Sequence, residues 1–295
     1  MRSIVVEAPA KVNLFLKVLG RRQDGYHEIF TLFERISLSD MITISRAPEG
    51  IKIVSNLPIT AKPKDNIAYK AAAAILSRAG LKSGLSIRIK KVIPIAAGLG
   101  GGSSDAAAVL TGVNKLLGLG ISKKELMKIG AKLGADVPFF ILNEPFAIGR
   151  GIGDRLSKVR FRGKLWHLIV YPGFKVATRD IYRAFDRNKR VLSKSLTRYG
   201  GGVKMTFPTS LEDATTTLHN DLEGVVIGKK PVIGKIIQCL ASSLGRRTMV
   251  SGSGPSVFCL YRTRREAIRA KTKLFRSIAP SSRRRWRIFI VETKI

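Results

Sequence analysis

Apolar residues occupy every second position at Val12, Leu14, Leu16 and Val18, leaving Lys11, Asn13, Phe15 and Lys17 on the alternate set. A period of two predicts a strand with one face inward. Residues 85–93 alternate in the same way, residues 29–38 form another strand pattern, and 41–46 with 51–55 predict a further hairpin. Elsewhere the period lengthens to that of a helix. Asp65-Asn66 offers cap chemistry for a helix to residue 78 or 79, closed by Gly80. The alanine- and leucine-rich residues 106–117 predict a second helix, with Ser103 and Ser104 as N-cap candidates. Ser122-Lys-Lys-Glu125 reads as a capping box opening a third, which stops at Gly134. In the second half, strand patterns at 165–171, 248–250, 256–261 and 287–291 are interleaved with helical patterns at 231–244 and 266–278. The order β, α, β, β, α, β predicts a ferredoxin-like sandwich. Residues 188–208, with Gly200-Gly-Gly202, carry no clear period and predict a loop-rich insertion. The expected class is α+β in two domains, residues 1–160 and 161–295.

Between the strand at 85–93 and the helix at 106–117 lies Pro94-Ile-Ala-Ala-Gly-Leu-Gly-Gly-Gly-Ser-Ser-Asp105. A strand that feeds through glycines into a helix directs several backbone N–H groups and the positive end of the helix dipole at one spot, which suits a phosphate. No Gly-Lys-Ser/Thr follows, so this is not a Walker A loop, and Ser103 stands where the dinucleotide fingerprint needs its third glycine.

Composition narrows the setting. The 295 residues are 45% hydrophobic and 25% charged, enough for two domains and a substantial core. No run approaches the roughly 18 apolar residues of a membrane span, and the opening Met1-Arg-Ser-Ile-Val-Val-Glu7 lacks a signal-peptide core. A cytoplasmic location without membrane association is expected. Cys239 and Cys259 both sit within apolar patterns, so neither a disulfide framework nor a thiolate metal site is expected. Against 20 acidic residues stand 53 Lys and Arg, a net +33 that attracts polyanions without choosing among them. The basic residues are dispersed, which predicts a basic surface rather than a dedicated nucleic-acid groove.

One carboxylate stands apart. Asp136, in Gly134-Ala-Asp-Val-Pro138, follows a helix exit and precedes the apolar Val-Pro-Phe-Phe run, a setting that solvation alone explains poorly. Taken together, Ala10-Lys-Val-Asn-Leu-Phe-Leu16, Asp24-Gly-Tyr-His27, Asp65-Asn66, Gly98-Leu-Gly-Gly-Gly-Ser-Ser-Asp-Ala106, Gly134-Ala-Asp-Val-Pro138, His219-Asn-Asp-Leu222 and Ser251-Gly-Ser-Gly-Pro255 resemble the GHMP kinase superfamily nearly end to end. The Lys-Val-Asn-Leu and Asp-Gly-Tyr-His segments resemble its branch that phosphorylates the cytidine diphosphate derivative of methylerythritol in isoprenoid biosynthesis.

The resemblance implies an N-terminal α/β sandwich with a glycine-rich phosphate loop and a ferredoxin-like C-terminal domain. It implies ATP as phosphoryl donor, with Mg2+ travelling on it and no protein metal ligand assigned. Pro94, Ala97, Gly98, Leu99, Gly100, Gly101, Gly102, Ser103, Ser104 and Asn66 inherit the nucleotide role, and Lys11 and Asp136 the catalytic one. Phosphoryl transfer to an alcohol asks for a proton acceptor and a positive charge, which Asp136 and Lys11 supply. Asn13, Tyr26, His27, Thr178 and Tyr182 inherit the substrate, with Tyr26 stacking on cytosine and His27 reading its polar edge. A monomer or homodimer is expected. The rival readings are a mevalonate or homoserine kinase of the same superfamily, against which Tyr26-His27 argues, and a nucleic-acid-binding protein, against which the 7% aromatic content argues. His167, within an apolar strand, is expected to be structural.

Overall fold

The computed structural model describes residues 3–161, 163–187, 211–245 and 247–295; the insertion expected at 188–208 lies outside them. Two compact units emerge, and neither is continuous in sequence. The first comprises Met1–Lys11, Leu38–Ile95 and Gly100–Glu144; the second comprises Val12–Ser37, Ala96–Leu99 and Pro145–Ile295. Strands β1 (Ser3–Arg21) and β2 (His27–Ala47) are long enough to contribute to both.

In the first unit the last part of β2 pairs antiparallel with β4 (Gly84–Lys90), Met41 opposite Lys90 and Ala47 opposite Gly84. Strand β3 (Ile51–Ser55) pairs parallel with the other edge of β4. The expected hairpin of 41–46 with 51–55 is therefore corrected, because β4 lies between those strands. Likewise 29–38 and 41–46 are one strand rather than two. Four helices pack on one another in this unit: α1 (Ile67–Arg78), α2 (Gly101–Leu117), α3 (Lys123–Leu133) and α4 (Val137–Leu142). The alternation of β4 buries Leu85, Ile87 and Ile89, while α1 and α2 contribute small residues, Ala68, Ala71, Ala72, Ala106 and Ala107, which let helices approach closely. At Gly112 on α2 the approach is closest, since a Cβ there would stand 2.6 Å from Cδ1 of Ile44.

In the second unit the first part of β2 pairs with β5 (Phe146–Arg150), and β5 with β6 (Arg155–Lys158). Phe15 and Leu16 of β1 run parallel to β8 (His219–Asn220). A separate antiparallel sheet is made by β7 (Trp166–Tyr171), β9 (Thr248–Val250), β10 (Val257–Tyr261) and β11 (Arg287–Glu292), in the order β11-β7-β10-β9. Numbered along the chain that is 4-1-3-2, the ferredoxin-like order expected from the pattern. The unit's helices among the described residues are α5 (Thr178–Arg187), α6 (Leu211–Thr217), α7 (Glu223–Lys229), α8 (Pro231–Leu244), α9 (Arg264–Ser277) and α10 (Pro280–Arg285). Its core joins Leu168, Val170, Val257 and Cys259 to Ile181 and Phe185 of α5, Ile233, Ile236 and Leu240 of α8, and Leu274 of α9. Trp166 and Trp286 are half-buried against it. His167 is fully buried, with Nε2 2.9 Å from Glu34 Oε2, in the structural role expected of it.

Strand β1 departs from the one-face expectation. It is buried without a break from Ala10 to Leu14, so Lys11 and Asn13 lie inside although they occupy the polar set of positions. Burying an ammonium and an amide is costly unless each has partners, which makes the polar set of β1 the first place to look for chemistry.

Candidate active site

Helix α2 begins earlier than expected. Gly100, with φ of +69°, is its N-cap without a side-chain cap bond, so Ser103 and Ser104 lie in the first turn instead of capping it. The first bond of the ladder runs from Ser104 N–H to the Gly100 carbonyl at 2.9 Å. The N–H groups of Gly101, Gly102 and Ser103 precede that ladder at the positive end of the helix. A Cβ on Gly100 would meet Phe140 Cζ at 2.9 Å and Lys11 Cγ at 3.0 Å, so the stem of Lys11 packs directly against this turn.

Lys11 Nζ reaches to 3.6 Å from Asp136 Oδ2. The lysine side chain is 6% exposed and the carboxylate 30%. Asp136 itself stands at the N-cap position of α4, after a turn in which Val137 N–H bonds to Gly134 O, and Pro138 near the start of α4 fixes the exit. Gly134 adjoins the α2 turn, a Cβ there lying 3.7 Å from Ser103 Oγ. The first unit thus brings together Lys11, Asp136, Gly100 and Ser103: a cation, a partly exposed carboxylate and a row of N–H donors. That donor set fits a phosphate chain. Asn66, also assigned to the nucleotide, is buried and caps α1, its Oδ1 accepting from Ala68 N–H at 2.9 Å.

Beneath the turn lies a cluster that the sequence reading missed. Lys91 Nζ bonds to Asp40 Oδ2 and, at 2.8 Å, to Asp105 Oδ2, all three residues being buried. Asp40 Oδ1 also accepts from the N–H groups of Val92 and Ile93, the latter at 2.9 Å. Burial pushes the Asp105 carboxyl up to about 7, with Lys91 pulling down and Asp40 pushing further up. Asp105 Oδ1 and Ser104 Oγ are buried without a hydrogen-bond partner among the described residues. The signal available was Lys91, a charge on the apolar set of the alternation at 85–93, and Asp105 directly after the two serines; Asp40 gave none.

In the second unit Ala96–Leu99 is held by the other glycine loop. Ser251 Oγ donates to Gly98 O at 2.9 Å, and Ser256 N–H to Ala97 O at 3.2 Å. Gly98 has φ of +77°, and a Cβ there would fall 2.2 Å from Ser251 O. Ala97 and Leu99 are 2% and 1% exposed and Pro94 is buried, so any contact they make with a ligand is through backbone atoms.

The residues assigned to the substrate fall into separate groups within that unit. His27 and Tyr182 are together, ring centroids 4.7 Å apart at 31°, and His27 Nε2 is 2.6 Å from Asp186 Oδ1. Tyr26 is 60% exposed, its N–H bonded to Asp24 Oδ1 at 3.1 Å. Thr178 Oγ1 pairs with Ser253 Oγ at 2.8 Å, and buried Asn13 donates to Thr31 Oγ1 at 2.7 Å. Asp186 was not anticipated, since nothing in Phe185-Asp-Arg187 distinguishes it from a solvated helix end.

Residues 66–144 match the GHMP kinases N terminal domain, and residues 208–279 the GHMP kinases C terminal. The chain is 44% identical over 290 residues to 4-diphosphocytidyl-2-C-methyl-D-erythritol kinase of Syntrophotalea carbinolica, covering 97% of each. It is 42% identical over 268 residues to the enzyme of the same name from Geobacter metallireducens, covering 90% of this chain and 92% of that one. A crystal structure of 4-(cytidine 5'-diphospho)-2C-methyl-D-erythritol kinase superposes with a TM-score of 0.74 at 32% identity over 98% of both chains. Homoserine kinase from Cytophaga hutchinsonii shares the fold, with a TM-score of 0.72 at 18% identity. With both domain signatures, relatives matched almost end to end and the same α+β fold, this chain belongs to the GHMP kinase family.

Proposed function

We propose that the protein is an ATP-dependent kinase that phosphorylates the 2-hydroxyl of 4-diphosphocytidyl-2-C-methyl-D-erythritol, an isoprenoid precursor. The observation that carries the chemistry is the Lys11–Asp136 pair, 3.6 Å apart at the N-terminal turn of α2. Identity above 40% to kinases of that name supports the choice of acceptor.

In this reading the N–H groups of Gly101, Gly102 and Ser103 hold phosphate oxygens of ATP, and the helix dipole favours their charge. Asp136, partly exposed, accepts the proton of the acceptor hydroxyl as its oxygen bonds to the γ-phosphorus and ADP departs. Lys11 balances charge on the transferring group and fixes the carboxylate; its burial beside the glycine turn leaves it few alternative positions. Magnesium carried on the nucleotide would supply charge screening of the phosphates, and no side chain of this protein is assigned to hold it. Tyr26, His27 and Tyr182 serve the cytosine end, and Asn13 and Thr178 the remainder of the substrate. By sequence, this reading divides the chain into residues 1–160, with the phosphate loop, and residues 161–295, and ATP supply favours a cytoplasmic setting.

The test is an ADP-release assay offering the cytidylated methylerythritol, mevalonate and homoserine side by side. Turnover is expected with the first; turnover with mevalonate alone would keep the family and reject the acceptor. Asp136→Asn should lower kcat by about 10²–10⁴-fold, the range of general acid–base catalysis, with KM for ATP nearly unchanged. Full turnover by that variant removes Asp136 as the base.

A further inference from the structure

His27 and Tyr182 are assigned above to the base, but the group that orients His27 is a third residue. Asp186 lies one helical turn after Tyr182 on α5, so both face the same side. Its Oδ1 stands 2.6 Å from Nε2 of His27, while its Oδ2 stands 3.8 Å from Nε of Arg21. A carboxylate oxygen brings no proton to such a bond, so Nε2 is the donor. The neutral imidazole has a single ring proton. With that proton on Nε2, Nδ1 is left as a lone-pair acceptor.

The ring is also locked in place. His27 is 7% exposed, Tyr182 lies against one face, and Phe185 meets it edge-on at 6.5 Å and 89°. The preceding turn is closed by Arg22 N–H to Tyr26 O at 2.8 Å and by Asp24 accepting from Tyr26 N–H. A fixed ring with a fixed tautomer reads one hydrogen-bond pattern only.

We infer that Asp186 is a specificity-determining positioning residue: by holding His27 as the Nε2–H tautomer it presents Nδ1 to an exocyclic amino group, selecting cytosine over uracil. Cytosine offers a 4-amino donor where uracil has a carbonyl oxygen, and two facing lone pairs repel. The inference rests on the assignment of His27 to the base.

Asp186→Ala and Asp186→Asn are compared with the parent enzyme on the cytidylated substrate and on its uridine counterpart, by ADP release. The parent should favour cytidine, and Asp186→Ala should cut the ratio of kcat/KM values by about tenfold or more, mainly through KM for the cytidylated substrate. Asp186→Asn, whose side-chain oxygen still accepts from Nε2, should keep most of the ratio. Independently of activity, ¹⁵N spectra of the imidazoles, with only three histidines in the chain, should show His27 protonated at Nε2 in the parent and mixed in Asp186→Ala. Equal losses on both substrates with an unchanged ratio would overturn the inference, as would a parent His27 protonated at Nδ1. His27→Ala separates the two layers. If it leaves the base preference intact, the base assignment fails; if it abolishes the preference and Asp186→Ala does not, only the role of Asp186 fails.

Discussion

Gly102 is the glycine of the phosphate turn that has room for a side chain. A Cβ there would meet only Ile67 Cγ2 at 3.6 Å, an ordinary contact, whereas one on Gly98 would collide with the Ser251 carbonyl. Gly102→Ala should therefore fold, with helix stability raised by up to about 1 kcal/mol. Its loss should fall on the nucleotide, with KM for ATP rising by about tenfold as the methyl crowds the closest backbone approach. A thermal melt and an ATP titration check both halves; unchanged KM for ATP would remove Gly102 N–H from the phosphate contacts. Asp105 carries a pH signature of its own. Its carboxyl is raised from 3.8 to about 7 by burial, so between those values the folded chain holds a proton that the unfolded chain has released. Stability from this group is thus lost as pH rises through that window. Asp105→Asn cannot ionise, so its Tm relative to the parent should climb between pH 5 and pH 8; a difference flat with pH would show that Asp105 is ionised throughout.

Helix α2 owes its position to a missing side chain as much as to its apolar face. Placing a Cβ on Gly112 sets it 2.6 Å from Ile44 Cδ1 and 2.9 Å from Val6 Cγ2. Gly112→Ala should cost about 1–3 kcal/mol by overpacking, outweighing the gain in helix propensity, and Ile44→Val should recover part of it by removing Cδ1. Urea midpoints at constant m-value measure this. At this scale much of the fold was legible. The ferredoxin-like order, the Asn66 and Ser122 caps, the Gly245 stop and the strand–glycine–helix passage follow from local chemistry, and local chemistry is what a sequence displays. What escaped was set by distant partners. Nothing between 41 and 55 announces that a strand 30 residues later will separate the two segments, and the period of β1 cannot tell a solvated polar face from a buried one. The site was half legible for the same reason. Asp136 stands in distinctive surroundings and Lys11 is reached only through the family resemblance, whereas Asp40 and Asp186 act through groups 51 and 159 residues away.

On the scale of the molecule, compactness does not follow the order of the chain. The unit that holds the ferredoxin-like sheet draws Val12–Ser37 and Ala96–Leu99 from the first half, and with them the strand partner of β5. Residues 1–160 expressed alone would keep β5 and β6 but lose β8 and the whole second sheet, so they should be soluble only in part and unfold without a cooperative transition, as circular dichroism can measure. A cooperative melt from that fragment would show that the first unit folds by itself. The excess of 33 positive charges lies over this framework and draws polyanions, nucleotides included, by long-range attraction that salt screens. The positions of the two tryptophans, Trp166 and Trp286, both against the core of the second unit, have a spectroscopic consequence. Tryptophan emission, excited selectively over tyrosine, follows the unit that holds His27 and Asp186 and is silent on the unit that holds Lys11 and Asp136. Fluorescence and calorimetry run on one unlabelled sample therefore distinguish loss of the base-reading half from loss of the phosphoryl-transfer half.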